Sequence, residues 1–415
     1  MTINISPTKF QHLINNYPVE YGQRNISRME MKNPMSFMPA LRIGNLAARL
    51  PIIQGGMGVG VSGVCLASAV ANEGGIGVLS SAGMGIDAPG YKDDPIGISI
   101  QALKGDIRKA RELTNGILGI NIMVATSNFA DMAKAAIEEK IDLIFAGAGL
   151  PLDLPKYLIG GAKTKLVPIV SSARAATTIL KRWASKYQYI PDAFVVEGPL
   201  AGGHLGFKKE QLNDADYTLE NIIPQVIEAV QIYETSYGKT VPVIAAGGIY
   251  TGGDIHDFLK LGAAGVQMGT RFVATTECDV SMQFKESYLN CGEEDIMIIN
   301  SPVGLPGRAI RNGFLESVES GTLHPVSCPY HCIRTCDSVK SPYCIALALL
   351  NAKKGRMERG FAFAGQNAYR AERIMSVHEL IQTITEEYDE SCRSNYLLTE
   401  EALNQKAKGL PYAKN

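Results

Sequence analysis

Between residues 50 and 275 short apolar runs alternate with Gly-rich turns and with charged segments whose apolar positions recur at helical spacing. A Val/Ile-rich run of about 4–8 residues bounded by turn signals reads as a strand buried on both faces, and its regular alternation with helical segments is the pattern of a parallel sheet. Eight such runs predict strands over 50–57, 75–81, 116–124, 142–149, 165–172, 192–198, 241–248 and 264–273. Helical periodicity appears over 62–74, 127–140, 172–186 and 251–262, whereas the connection after Gly149 is short and carries Pro151, which makes the fourth helix the weakest of the series.

Eight βα units in this length match an α/β fold of the TIM (β/α)8 barrel type, whose usual size is ~250 residues. A doubly wound sheet fits less well, because no G-x-G-x-x-G opens a helix with an acid ~20 residues on. The organisation expected is an N-terminal arm (1–45), a barrel (46–275) and a mainly helical C-terminal extension (276–415). The stretch 83–114 after the second strand is long enough to act as a lid.

Forty basic and forty-one acidic residues leave a net charge of −1, with no long run of either sign. That balance argues against nucleic acid or an anionic membrane as partner and favours a small-molecule substrate; a homodimer is compatible with it. The N-terminus lacks the basic-then-apolar pattern of a signal peptide, and no run is long and apolar enough to span a bilayer, so a cytoplasmic protein is expected. Eight cysteines in such a chain are then free thiols or metal ligands rather than a disulfide framework.

In a barrel the chemistry gathers at the C-terminal ends of the strands. Glycine-rich segments fall there, at QGGMG, AGGHLG, AAGGI and MGTRF. Each alone is compatible with a tight turn. After the seventh and eighth strands, however, Gly247, Gly248, Gly269 and Thr270 can offer unobstructed backbone N–H groups to a phosphate.

The stretches PIIQGGMG, NIMV, GAGLP, VVEGPLAGGHLG, PVIAAGGI and GAAGVQMGTRFV, in this order over about residues 50–275, resemble the FMN-dependent nitronate monooxygenases and the related flavin-dependent enoyl-acyl-carrier-protein reductases; SPVGLPGRAI extends the likeness beyond the barrel. The resemblance implies FMN across the barrel mouth, with Gln54, Gly55, Gly56 and Met57 beside its ring system and Ser80, Ser81, Asn121 and Glu197 as polar contacts. It further implies close backbone approach at Ala201, Gly202 and Gly203, and a phosphate cradle at Gly247, Gly248, Gly269 and Thr270. His204 would face the substrate as acid/base or oxyanion-orienting group, a role that an imidazole with an unperturbed pKa of ~6.5 can fill near neutrality.

Within that likeness the leading expectation is oxidation of a small anionic nitronate, with O2 completing the turnover. The alternative takes electrons from NAD(P)H and reduces an enoyl thioester, in which case an acyl carrier protein is a partner. A non-catalytic FMN-binding sensor is the alternative of another class. Members of the family often carry an acidic residue before AGGH, where this chain has Pro199 and Leu200.

Cys328, Cys332, Cys336 and Cys344 follow the spacing C-x3-C-x3-C-x7-C. Four thiolates can hold an iron–sulfur cluster or a zinc ion. The first three, at i, i+4 and i+8, could equally share one helical face as small apolar side chains. The Gly-, Phe- and Asn-containing stretch 360–370 is read as a helix-entry turn, with a reach to the flavin mouth or the substrate as the alternative.

Overall fold

The computed structural model describes residues 38–323, 328, 330–337 and 339–408, with side chains described as far as 395. The chain enters as a hairpin, β1 (Leu41–Ile43) and β2 (Leu46–Ala48), antiparallel with Leu41 opposite Ala48. It continues through β3 (Ile52–Gln54), α1 (Val64–Asn72), β4 (Ile76–Ser80), α2 (Pro95–Leu113), β5 (Ile117–Met123), α3 (Phe129–Glu138), β6 (Leu143–Gly147), β7 (Lys165–Val170), α4 (Ala173–Tyr187) and β8 (Phe194–Glu197). Two-residue β9 (Gly203–His204) is followed by α5 (Leu219–Tyr237), β10 (Val243–Ala246), α6 (Gly252–Lys260), β11 (Gly265–Met268) and α7 (Thr270–Val273). Beyond lie α8 (Met282–Leu289), β12 (Ile296–Asn300), β13 (Pro306–Ile310), α9 (Gly313–Glu319), α10 (Ile345–Lys353) and α11 (Val377–Lys408).

Strands β3 to β8, β10 and β11 close a parallel barrel, β11 pairing back onto β3 and β8 onto β10. These are the eight strands expected from the sequence. After β6 only one 3-10 turn, Leu154–Tyr157, stands in for a helix, consistent with Pro151 and Pro155 interrupting the connection.

Alternation along each strand sorts its side chains between two cores. Ile53, Val78, Phe145, Val167, Val195 and Ile244 fill the barrel interior, and Leu41, Ile43 and Ala48 of the hairpin pack into the same cluster. The other parity packs under the helices. In α4, Ser172 Oγ accepts from Ala175 N at 3.2 Å and caps the helix, whose buried face is Ala176, Ile179, Leu180 and Trp183. Trp183 is fully buried and donates from Nε1 to Pro151 O at 3.0 Å, so its truncation to Ala should cost about 3–5 kcal/mol.

Three expectations change. Much of 83–114 is not loop: Asp94 caps a 19-residue helix, α2, whose first turns, with the stretch before it, line the cavity at the rim. The arm does not end at residue 45, because the hairpin belongs to the barrel core. The C-terminal extension is not simply helical, since β12, β13 and β9 form a three-stranded antiparallel sheet, bringing the extension to the residues after β8.

Candidate active site

Glu197 ends β8 with the parity of Val195, so its carboxyl faces the barrel interior at the C-terminal mouth. By the same alternation Ser80 follows Val78 in β4, and Asn121 lies beside it in register in β5. Gln267 in β11 stands opposite Ala246, which pairs with Glu197 on its other side. Neither the Glu197 carboxyl nor the Asn121 amide has a hydrogen-bond partner among the described residues, and Gln267 Oε1 is buried without one. Burial pushes the Glu197 carboxyl up to about 8, so it is a neutral acid at pH 7 and can donate a hydrogen bond.

Gln54 departs from its expected place beside a ring. Its parity is opposite to that of Ile53, and it is fully buried behind the barrel wall. Nε2 donates to Ser62 Oγ at 2.8 Å and to the Gly55 carbonyl, while Oε1 accepts from Val78 N at 3.0 Å. The side chain therefore braces the loop after β3, leaving Gly55, Gly56 and Met57 on the rim. Gly56 has to be glycine: a Cβ there would lie 2.3 Å from Asn121 Cβ.

Gly247 and Gly248 both have positive φ (96° and 84°), and their amides, with those of Gly269 and Thr270, have no acceptor among the described residues. A Cβ on Gly247 would come within 3.0 Å of Ala201 N and Gly198 O. Successive unpartnered amides of this kind form an anion cradle. The N-terminus of α6 is not part of it. Asp254 accepts from Tyr250 N and Thr251 N, and Glu387 of α11 accepts from Gly252 N at 2.7 Å while pairing with Arg271.

His204 lies in β9, opposite Gly307 of β13. Its Nε2 is 2.7 Å from Ser301 Oγ, and its ring meets Phe363 edge-on with centroids 4.9 Å apart. Ser301 Oγ also accepts from Val303 N at 3.3 Å, and with its second lone pair and its own proton it can accept from or donate to His204 Nε2 according to the tautomer. Burial lowers the His204 pKa to about 4, so the ring is neutral at pH 7.

The turn between Glu197 and His204 hangs on Arg308, which is 4% exposed and donates from Nη1 to Pro199 O and Ala201 O, both at 2.6 Å. No carboxylate pairs with this guanidinium among the described residues, and burial lowers its pKa to about 10. Gly202 packs on the stretch read as a helix-entry turn: its Cβ would meet Gly365 N at 2.5 Å. Gly365 N donates to Thr270 Oγ1 at 3.0 Å and Asn367 Nδ2 to Gly248 O at 2.6 Å, so 363–367 is a wall of the site rather than a helix start. Ser301, Arg308, Phe363 and Asn367 were not singled out as site residues from the sequence; the stretch SPVGLPGRAI, which holds Ser301 and Arg308, carried the available hint for two of them.

Beside the rim lies a cavity of about 270 Å³. Its lining combines apolar Ile86, Ile96, Met123, Ile345 and Leu349 with Tyr91, Tyr330 and Cys332 and with the polar residues Ser81, Ser99, Thr126, Ser127, Asn128, His204 and His331. Among the described residues no Lys, Arg, Asp or Glu lines it.

The family model for nitronate monooxygenase matches residues 41–387, most of the chain and all of the barrel. The chain belongs to the nitronate monooxygenase family. Among its relatives is a Mycobacterium tuberculosis protein named (3aS,4S,5R,7aS)-5-hydroxy-7a-methyl-1-oxo-octahydro-1H-indene-4-carboxyl-CoA dehydrogenase, 31% identical over 275 residues, or 66% of each chain. The counterpart from Rhodococcus jostii is 31% identical over 65% of each chain, so the matched stretch spans just under two thirds of these relatives. A probable nitronate monooxygenase of Staphylococcus aureus is 26% identical over 66% of this chain and 78% of its own. Of solved structures, FabK from Thermotoga maritima matches 84% of this chain and 96% of its own with a TM-score of 0.65 at 28% identity. Within the nitronate monooxygenase family fold, no described helix is long and apolar enough to cross a membrane.

Proposed function

We propose that this protein is an FMN-dependent oxidoreductase acting on an uncharged acyl group, carried as a thioester, rather than on a free nitronate anion. The observation carrying this reading is the cavity beside His204, whose lining contains no Lys or Arg among the described residues. An anion there would lose its hydration without gaining a counter-charge, whereas an apolar acyl chain gains from burial. The name of the 31% identical relative, a carboxyl-CoA dehydrogenase, points to the same chemistry.

The residues fit FMN. The amides of Gly247, Gly248, Gly269 and Thr270 would hold its phosphate, and the unpartnered polar groups of Glu197, Asn121 and Gln267 would meet its polar edge, with Gly55, Gly56, Ala201, Gly202 and Gly203 permitting close approach. Bound there, the cofactor supplies two-electron hydride chemistry.

The chain's own contribution is positioning and charge control. Ser301 anchors the His204 ring at Nε2, and in the tautomer in which Ser301 donates to Nε2 the Nδ1–H can donate to the thioester carbonyl oxygen as negative charge develops on it. Neutral Glu197 donates rather than accepts at the barrel end. NAD(P)H is the proposed electron source when the acyl group is reduced, and acyl carrier protein or coenzyme A the proposed carrier. Anaerobic mixing of the FMN-loaded enzyme with acyl- and enoyl-thioesters, nitronates and NAD(P)H, monitored through the flavin absorbance, tests the assignment.

A further inference from the structure

The four cysteines of 328–344 are not one face of a helix, because the described residues of that segment have no helical structure before Ile345. The segment is instead sewn onto the rim. Thr126 and Ile333 form an antiparallel bridge, Ser127 N donates to Cys332 O at 3.1 Å, and Arg334 N donates to Ala125 O at 3.0 Å. The Arg334 guanidinium binds the carbonyls of Thr126 and Val124 at 3.0 and 3.1 Å, and Thr335 Oγ1 donates to Val303 O at 2.8 Å, two residues from Ser301.

This anchoring gathers all four thiols, none of them in a disulfide. Cys332 and Cys344 pack against the same group of side chains, Val59, Ile86, Tyr91, Ala346 and Leu350. Cys332 lies within electrostatic reach of Cys344, Cys328 and Cys336, and Cys344 within reach of Cys328 and Cys336. One sulfur already has a donor, His331 N to Cys328 Sγ at 3.4 Å, and Cys336 Sγ lies 3.7 Å from Ser341 Oγ, whose own proton goes to Asp337 O. Donors of this kind stabilise and tune thiolate ligands.

A single zinc ion fits poorly. Four thiolates bound to one ion at ~2.3 Å stand only about 3.8 Å apart, and among the described residues no group of three or more His, Cys, Asp or Glu is placed to hold a metal ion. A cluster interposes several irons and sulfides between its cysteines and takes a wider set. We propose that Cys328, Cys332, Cys336 and Cys344 ligate an iron–sulfur cluster set into the wall of the cavity that His204 lines.

The test is iron, acid-labile sulfide, zinc and FMN per chain in the full-length protein purified anaerobically, with electron paramagnetic resonance after dithionite reduction. Iron and sulfide are expected in equal amounts, about two or four of each per chain. Cys332→Ser and Cys336→Ser should each lower iron and sulfide at least ~5-fold and remove the cluster resonance while FMN is retained; Cys65→Ser, outside the segment, should leave all of them unchanged. Stoichiometric zinc without sulfide would overturn the proposal, as would failure of the full chain to take up iron when supplied with ferrous iron and sulfide. Because the readout is metal content and not turnover, it stands or falls separately from the acyl-thioester reading.

Discussion

His204 stands in register with Gly307 across an antiparallel pair, and both lie against Phe363. A Cβ on Gly307 would come within 2.8 Å of Phe363 Cε1, so the histidine, the glycine and the ring define one another's positions. Gly307→Ala should displace Phe363 and with it the imidazole. Turnover is expected to fall by about 10-fold or more with FMN still bound, since misplacement by about 1 Å can cost ~100-fold; steady-state rates beside FMN content check it.

Ser301→Ala removes the hydroxyl that anchors His204 Nε2. A drop of about 10–100-fold in kcat is expected, with FMN affinity unchanged, because a lost orienting hydrogen bond acts on the reacting geometry. Ser301→Thr, if its hydroxyl reaches Nε2, should recover part of the loss, which a merely structural residue would not do in kcat alone.

The cradle gives a different signature. Gly247 has φ 96° and no room for a Cβ, so Gly247→Ala should strain the turn and tilt its amide from a bound phosphate. FMN affinity is expected to weaken by about 10-fold or more, that is by at least ~1.4 kcal/mol. Quenching of flavin fluorescence on titrating protein measures it.

Glu197 and His204 impose opposite pH dependences on stability. Glu197, raised to about 8 from an unfolded value of ~4.3, holds a proton that the unfolded chain releases, so its contribution falls as pH rises from ~4.3 to about 8. His204, lowered to about 4 from ~6.5, binds fewer protons folded than unfolded between those values, so its contribution rises with pH over that interval. The two slopes oppose each other up to ~6.5, and above it only the Glu197 loss remains. The Tm of the FMN-free protein should therefore fall between pH 6.5 and 8 through this group, and Glu197→Gln should flatten that fall.

The barrel was legible because each strand's period and each bounding glycine answer to local physics, as the eight runs from Ile52 to Met268 illustrate. The places of Gly247 and Gly248 just past β10 were legible for the same reason, whereas His204 lies in the short strand β9, seven residues beyond β8. What escaped is long-range. Nothing near Arg308 in sequence announces that it will bind carbonyls at Pro199 and Ala201 more than a hundred residues earlier. The direction of the Gln54 side chain was not legible, because a motif gives the residue but not the face of the strand it occupies. The thiol spacing suggested a helical face, yet Arg334 and Ser127 bind that segment in extended form to the rim.

The central claim, an uncharged acyl substrate beside a neutral His204, is tested most directly by rapid anaerobic mixing of the FMN-loaded enzyme with matched substrates. On the acyl-thioester reading, a saturated acyl-CoA bleaches the oxidised flavin band, or an enoyl-CoA restores it after reduction by NAD(P)H, within turnover time, and alkyl nitronates leave it unchanged. Rapid bleaching by nitronates with no response to any acyl- or enoyl-CoA would contradict it.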